Sequence, residues 1–218
     1  MLFQDRQDAG KRLAQKLEEF KGTDAVVLAL PRGGVVVGYE IAKELRIPLD
    51  VIITRKIGAP GNPEYAIGAI AETGEAQLNE PEIHAYGIPQ SHVAAEIARQ
   101  REEINRRIAL YRDGRPLPDL KGRTVIVVDD GIATGFTMKT AIRAIWARQP
   151  QAVVLAVPVA PRESIVDLSD EVTRVVCLAT PEPFFAVGAW YRDFTQVTDE
   201  EVRRYLDAVR LQSVKPRT

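Results

Sequence analysis

Five short apolar runs constrain the fold most: Ala25–Leu30, Leu49–Ile53, Val125–Val128, Ala152–Val159 and Val175–Leu178. They are rich in β-branched residues and nearly continuous rather than alternating. A strand with one wet face alternates apolar and polar residues, whereas a continuous run suits a strand covered on both faces of a parallel sheet. Between several runs the period changes to that of a helix. Gly38, Ile41, Ala42 and Leu45 share one face, as do Met138, Ala141, Ile142, Ile145 and Trp146. This alternation predicts an α/β fold, a doubly wound and mainly parallel sheet of about five strands.

Other segments dress that sheet. Ala9, Leu13, Leu17 and Phe20 predict an amphipathic helix near the start, and Thr198 with Glu201 forms a capping box before Val202, Tyr205, Leu206 and Val209. Arg55–Glu80 is rich in Gly and Pro and reads as a long mobile loop, with a hairpin around Ala66–Glu80. Pro89–Tyr111 reads as a charged helix with Ile97, Ile104, Ile108 and Tyr111 on one side. The expected organisation is one domain over 1–218, with a helical insertion at 81–118 and a C-terminal hood and helix at 180–218.

Composition excludes several functions. Formal net charge is −1, from 29 basic and 30 acidic residues, so nothing global attracts nucleic acid. No apolar stretch reaches the roughly 18 residues of a membrane span. The start mixes acid with base and has no apolar core of a secretory signal, so a cytoplasmic protein is expected. Cys177 is the single cysteine and only His84 and His92 accompany it, a poor basis for a zinc cage.

Chemistry concentrates after the third run. Asp129 and Asp130 follow Val125–Val128, and then Gly131-Ile132-Ala133-Thr134-Gly135-Phe136-Thr137 leads into the Met138–Trp146 helix. Such a turn can aim successive amides at an anion, assisted by the helix N-terminus, and Thr134 and Thr137 add hydroxyl donors. Two carboxylates beside an anion cradle would repel bare polyphosphate. They make sense if they accept hydrogen bonds from vicinal hydroxyls or act through a divalent cation, and a ribose 5-phosphate supplies both phosphate and diol. The alternative is that the acids merely end a strand and cap a turn.

Two other segments offer cations at strand ends. Pro31-Arg32-Gly33-Gly34 follows the first run. Its glycines permit close backbone approach, and Arg32 can give charge-assisted hydrogen bonds to phosphate. Arg55 and Lys56 follow the second run. Either segment could equally be an ordinary strand–helix turn or a solvated pair.

The stretch Val125–Thr137 closely resembles the phosphoribosyl pyrophosphate (PRPP) motif of type I phosphoribosyltransferases, and the run RKIGAPGNPE at 55–64 is similar to that of an uncharacterised bacterial subgroup. The resemblance implies that Asp129 and Asp130 hold the ribose hydroxyls, while Ile132 to Thr137 hold the 5-phosphate. It makes Arg32, Gly33 and Gly34 a pyrophosphate loop with a cis bond between Pro31 and Arg32. Arg55 and Lys56 become part of a catalytic loop closing over the donor. It further implies Mg²⁺, with Asp129, Asp130 and Asp193 as its ligands, small-molecule partners, and an assembly that does not bar a homodimer.

Pro183–Phe194 resembles the acceptor hood of hypoxanthine-guanine-type enzymes, so Phe184, Phe185 or Trp190 could stack on a planar acceptor. Two departures matter. Ala133 stands where those enzymes carry an acid, and Ala179–Glu182 offers no lysine. The expected activity is transfer of phosphoribosyl from PRPP to a nitrogenous acceptor other than a 6-oxopurine. A PRPP-binding regulator without catalysis is the alternative, and a partner-binding protein using the Pro89–Tyr111 helix is a further one.

Overall fold

The computed structural model describes residues 2–213; residues 214–218 of the expected C-terminal segment lie outside the described residues. The five apolar runs form β1 (Val26–Ala29), β2 (Leu49–Val51), β6 (Thr124–Val128), β7 (Ala152–Val159) and β8 (Arg174–Ala179). All pair in parallel, in the order β2-β1-β6-β7-β8. The intervening helices are α1 (Arg6–Gln15), α2 (Gly33–Leu45), α5 (Phe136–Trp146), α6 (Arg162–Ser169) and α7 (Asp199–Ser213).

Alternate residues of each run serve different cores, which is why the runs read as continuous. Val27, Ala29, Ile126, Val128, Val154 and Ala156 pack with Leu13, Val37, Ile41, Val202 and Leu206 from α1, α2 and α7. Val26, Leu28, Val125, Val127, Val153 and Leu155 pack with Met138, Ala141, Ile142, Ile145 and Leu168 from α5 and α6. Fully burying one such aliphatic side chain contributes roughly 1.5–3 kcal/mol before entropy is counted. Gly38 lets α2 lie close on β1, because a Cβ there would sit 3.0 Å from that of Ala29.

The strand order creates a switch point. From β1 the chain crosses through α2 on one face to β2; from β6 it crosses through α5 on the other face to β7. The connections thus diverge on either side of the adjacent strands β1 and β6, leaving a crevice outside their carboxyl ends.

Residues 54–80 differ from expectation. The segment read as a long mobile loop is a three-stranded antiparallel sheet of β3 (Thr54–Ala59), β4 (Asn62–Ala71) and β5 (Ala76–Leu78), in which β4 and β5 make the hairpin expected around Ala66–Glu80. Its Gly and Pro residues mislead because Pro60 and Gly61 occupy a tight turn, with Gly61 at φ 73°, while Ile57, Ile67, Ala69 and Ile70 are buried. Helices α3 (Glu80–Ala85) and α4 (Gln90–Arg112) follow, and α4 packs on β3 and α7. Arg112, at its end, is 1% exposed and pairs with Glu72, whose other oxygen accepts from the Ile53 amide at 2.9 Å. The small sheet, α4 and the main sheet therefore share a buried ionic joint. Among the described residues no helix is long and apolar enough to cross a membrane.

The hood includes more than the C-terminal segment. Phe3 N–H donates to the Trp190 carbonyl at 2.8 Å, and Arg192 N–H donates to the Phe3 carbonyl at 2.9 Å. Phe3, Ala9, Val159 and Tyr191 form a small core beneath it. The capping box closes α7 as expected, with Thr198 and Glu201 bonding each other's amides at 2.9 and 3.2 Å.

Candidate donor-binding site

The carboxyl ends of β1 and β6 bring the Pro31–Gly34 turn against the acid pair. The Leu30 amide donates to the Val128 carbonyl at 2.9 Å, locking the two strand ends together. A Cβ on Gly33 would lie 1.8 Å from Asp130 Oδ2, and one on Gly34 would lie 2.9 Å from the Asp129 Cα. These positions exclude a side chain for lack of space. The Pro31–Arg32 peptide is cis.

Both acids pay for their place electrostatically. Burial pushes the Asp129 carboxyl well above the usual carboxylate range, and the charge of Asp130 raises it further. Burial also raises Asp130, but Arg6 opposes it. Asp130 keeps a side-chain exposure of 15%, so some solvent tempers that push. Arg6 Nε stands 2.6 Å from Asp130 Oδ2. The Tyr191 hydroxyl donates to the Asp130 carbonyl at 2.5 Å, and burial raises the pKa of that phenol.

The loop after the acids is anchored at its edges and open at its rim. The Ile132 amide donates to the Val159 carbonyl at 2.9 Å. Ser164, itself buried, donates to the Ala133 carbonyl at 2.8 Å. Gly135 is the N-cap of α5 at φ 74°, where glycine is favoured. Ala133 and Thr134 are exposed, and Gly135, Phe136 and Thr137 are half-buried. The loop therefore presents solvent-accessible residues at a helix N-terminus, a place that favours phosphate. Gly131 touches the hood, since a Cβ there would lie 2.4 Å from Val187 Cγ1.

Arg32 faces Asp199, the first residue of α7, at 3.8 Å; Asp199 also faces Arg106 of α4 at 3.6 Å and accepts from the Tyr111 hydroxyl at 2.5 Å. Arg55 lies on β3 with Nε donating to Gln100 of α4 at 2.9 Å, and Lys56 beside it is exposed. This contact ties Arg55 to α4. Phe184 is partly buried and lines a cleft of about 590 Å³ with Pro161, Arg162, Val166 and Glu182. Phe185 is 83% exposed, and Trp190 is packed against the hood core.

Of the expected metal ligands, Asp129 and Asp130 stand at the end of β6 and Asp193 lies in the hood. Among the described residues, no three His, Cys, Asp or Glu side chains gather as a ligand group. Asp193 turns back on Thr195, accepting from its amide at 2.9 Å and its hydroxyl at 2.6 Å, which holds its pKa below the usual range. Its place is set by the hood, where its own amide donates to the Gln4 carbonyl.

Sequence reading missed Arg6. It stands 124 positions from Asp130, at the start of the amphipathic helix expected from Ala9, Leu13 and Leu17, and no local pattern connects the two. The only available signal was an arginine at the first turn of a helix, where an acid is the favoured charge.

Comparison with known proteins agrees with this geometry. A family model described as "Phosphoribosyl transferase domain" matches residues 3–192. The chain is 47% identical over 206 residues to "Putative phosphoribosyl transferase Rv0571c" of Mycobacterium tuberculosis, covering 94% of this chain and 46% of that protein. The chain thus spans about half the length of the curated relatives it matches. The crystal structure of TT1426 from Thermus thermophilus is similar with a TM-score of 0.79 and 46% identity, over 94% of this chain and 98% of that one.

Proposed function

The chain belongs to the phosphoribosyl transferase domain family, and from that premise we propose that it uses PRPP to transfer phosphoribosyl to a nitrogenous acceptor with release of pyrophosphate. One observation carries the reading: at the switch point, the Gly33–Gly34 turn abuts an acid pair that opens into an anion-receptive loop. Phosphate, diol and pyrophosphate then have separate, adjacent receptors.

In this reading the rim of residues 132–137 takes the 5-phosphate, and Asp129 and Asp130 accept from the ribose hydroxyls. Arg32, Gly33 and Gly34 receive the pyrophosphate. C1 of the ribose loses its bond to the pyrophosphate oxygen as the acceptor nitrogen bonds to it, and the acceptor's proton leaves to solvent or base. The protein contributes position, charge stabilisation on the leaving group and exclusion of water.

Mg²⁺ commonly keeps water and takes one or two carboxylates with substrate phosphates. The desolvated pair Asp129 and Asp130 fits that role as a partial ligand set, while the Asp193 carboxylate is engaged by Thr195. When bound with the donor, the ion supplies charge neutralisation. Phe184 beside its cleft gives a planar acceptor an aromatic face. Ala133 and the absence of a lysine in residues 179–182 argue against a 6-oxopurine.

The test is PRPP-dependent pyrophosphate release over a panel of bases and amines, adenine first, with Asp130→Asn alongside. The expected outcome is release with at least one acceptor, weakened about ten- to a hundred-fold in the variant through loss of a charge-assisted hydrogen bond. PRPP binding with no release for any acceptor favours the regulatory reading. Failure to bind PRPP at all overturns both.

A further inference from the structure

Arg6 opens α1 and reaches into the site from the hood side. Its Nε donates to Asp130 Oδ2 at 2.6 Å and its Nη1 donates to the Thr195 carbonyl at 2.8 Å. The guanidinium carbon stands 3.8 Å over the centre of the Phe194 ring. The residue is 8% exposed. An arginine gripped by a carboxylate, a carbonyl and an aromatic face is held in three directions, and its planar fork suits such a grip where lysine does not.

The same carboxylate is bounded elsewhere as well. A Cβ on Gly33 would lie 1.8 Å from Asp130 Oδ2 and 2.7 Å from Arg6 Nε, so turn, acid and arginine are packed together. Behind the acid, the Tyr191 hydroxyl fixes its backbone carbonyl, and Tyr191 lies between the tilted rings of Phe3 and Phe194, with centroids 5.3 and 5.0 Å away. Oδ2 is thus committed to a protein partner, which sets the direction in which the rest of the carboxylate faces.

We propose that Arg6 is a positioning residue for the donor's ribose: by holding Asp130 Oδ2 it aims the acid at the hydroxyl pair, and through Thr195 and Phe194 it couples that aim to the folded hood. The inference rests on the ribose role given above to the acid pair. It assigns α1 a part in donor recognition, because Phe3 and Gln4 just before it are hydrogen-bonded to Trp190, Arg192 and Asp193. Ordering the hood and orienting the acid become one event. Misplacement of a binding group by about 1 Å can cost up to about a hundred-fold.

The experiment titrates ribose 5-phosphate, and separately inorganic pyrophosphate, which carries no hydroxyls, into wild type, Arg6→Gln, Arg6→Lys and Asp130→Asn, with melting curves for each. Arg6→Gln is expected to lose about ten-fold or more in ribose 5-phosphate affinity with pyrophosphate affinity unchanged, and Arg6→Lys to recover part of the loss. Wild-type affinity for ribose 5-phosphate in Arg6→Gln overturns the proposal, as does a proportional loss of both ligands. If Arg6→Gln does not fold, Phe194→Leu removes the aromatic face under Arg6, together with the Tyr191 ring contact, and leaves the hydrogen bonds of Arg6 to Asp130 and Thr195 in place. It is then expected to weaken ribose 5-phosphate alone, and unchanged binding counts against the proposal. Equal binding of ribose 5-phosphate by wild type and Asp130→Asn would sink the ribose reading itself. A weak Asp130→Asn beside an intact Arg6→Gln would sink the Arg6 role alone.

Discussion

Gly33→Ala probes the contact between the two halves of the site with one methyl group. The added carbon would stand 1.8 Å from Asp130 Oδ2 and 2.7 Å from both Asp130 Cγ and Arg6 Nε. An ordinary close C···O approach is about 3.3 Å, so the carboxylate or the turn must yield by about 1.5 Å. A movement of that size is incompatible with the 2.6 Å bond from Arg6. Gly33 lies at the start of α2 and is not among the glycines with positive φ, so alanine itself meets no backbone strain and recovers up to about 1 kcal/mol of chain entropy. Overpacking costs about 1–3 kcal/mol. With about 1 kcal/mol recovered, the net loss of stability should therefore be about 0–2 kcal/mol, small enough for the variant to fold. Affinity for ribose 5-phosphate should fall about a hundred-fold, since a functional group has moved by more than about 1 Å. Calorimetric titration measures the affinity and urea unfolding the stability. A Gly33→Ala protein that binds ribose 5-phosphate like wild type would refute the idea that this turn and Asp130 serve one ligand.

Three further outcomes follow from other contacts. Ser164→Ala removes the buried donor to the Ala133 carbonyl; it should cost about 1 kcal/mol in urea unfolding and weaken inorganic phosphate binding by loosening the loop. Arg112→Met leaves Glu72 buried without its cation and should cost about 3–5 kcal/mol, with much of the loss recovered when Glu72→Leu is added; a single variant as stable as wild type would contradict this. Stability should also fall in acid. Arg106 holds Glu103, and Arg143 holds Glu171, down to about 2. A carboxylate with a depressed folded pKa stabilises above its unfolded value of about 4.3 and loses that contribution as pH drops toward 2. Both are partly solvated, so each contributes no more than about 1 kcal/mol; Glu103→Gln and Glu171→Gln should flatten the melting temperature between about pH 5 and 2.

The sequence alone determined the parts of this protein that depend on neighbours along the chain. Val125–Val128 is apolar on both faces, so it had to be covered on both. Asp129, Asp130 and the glycine-bearing turn before α5 are consecutive, so their placement at a strand's end and a helix's start was legible without any contact map. The capping box at Thr198 and Glu201 was local for the same reason. Residues 54–78 were misread because Gly and Pro mark turns wherever they occur, whereas burial of Ile57, Ile67 and Ile70 depends on α4 and α5, which lie far along the chain. Tertiary structure alone decided that Gly33 lies against Asp130, that Arg55 turns to Gln100, and that Arg6 crosses 124 positions to the acid. Each of those is a side-chain meeting between segments that the sheet order brings together. Hydrophobic periodicity specifies which face of an element is buried, and carries no information about which distant charge will meet it there.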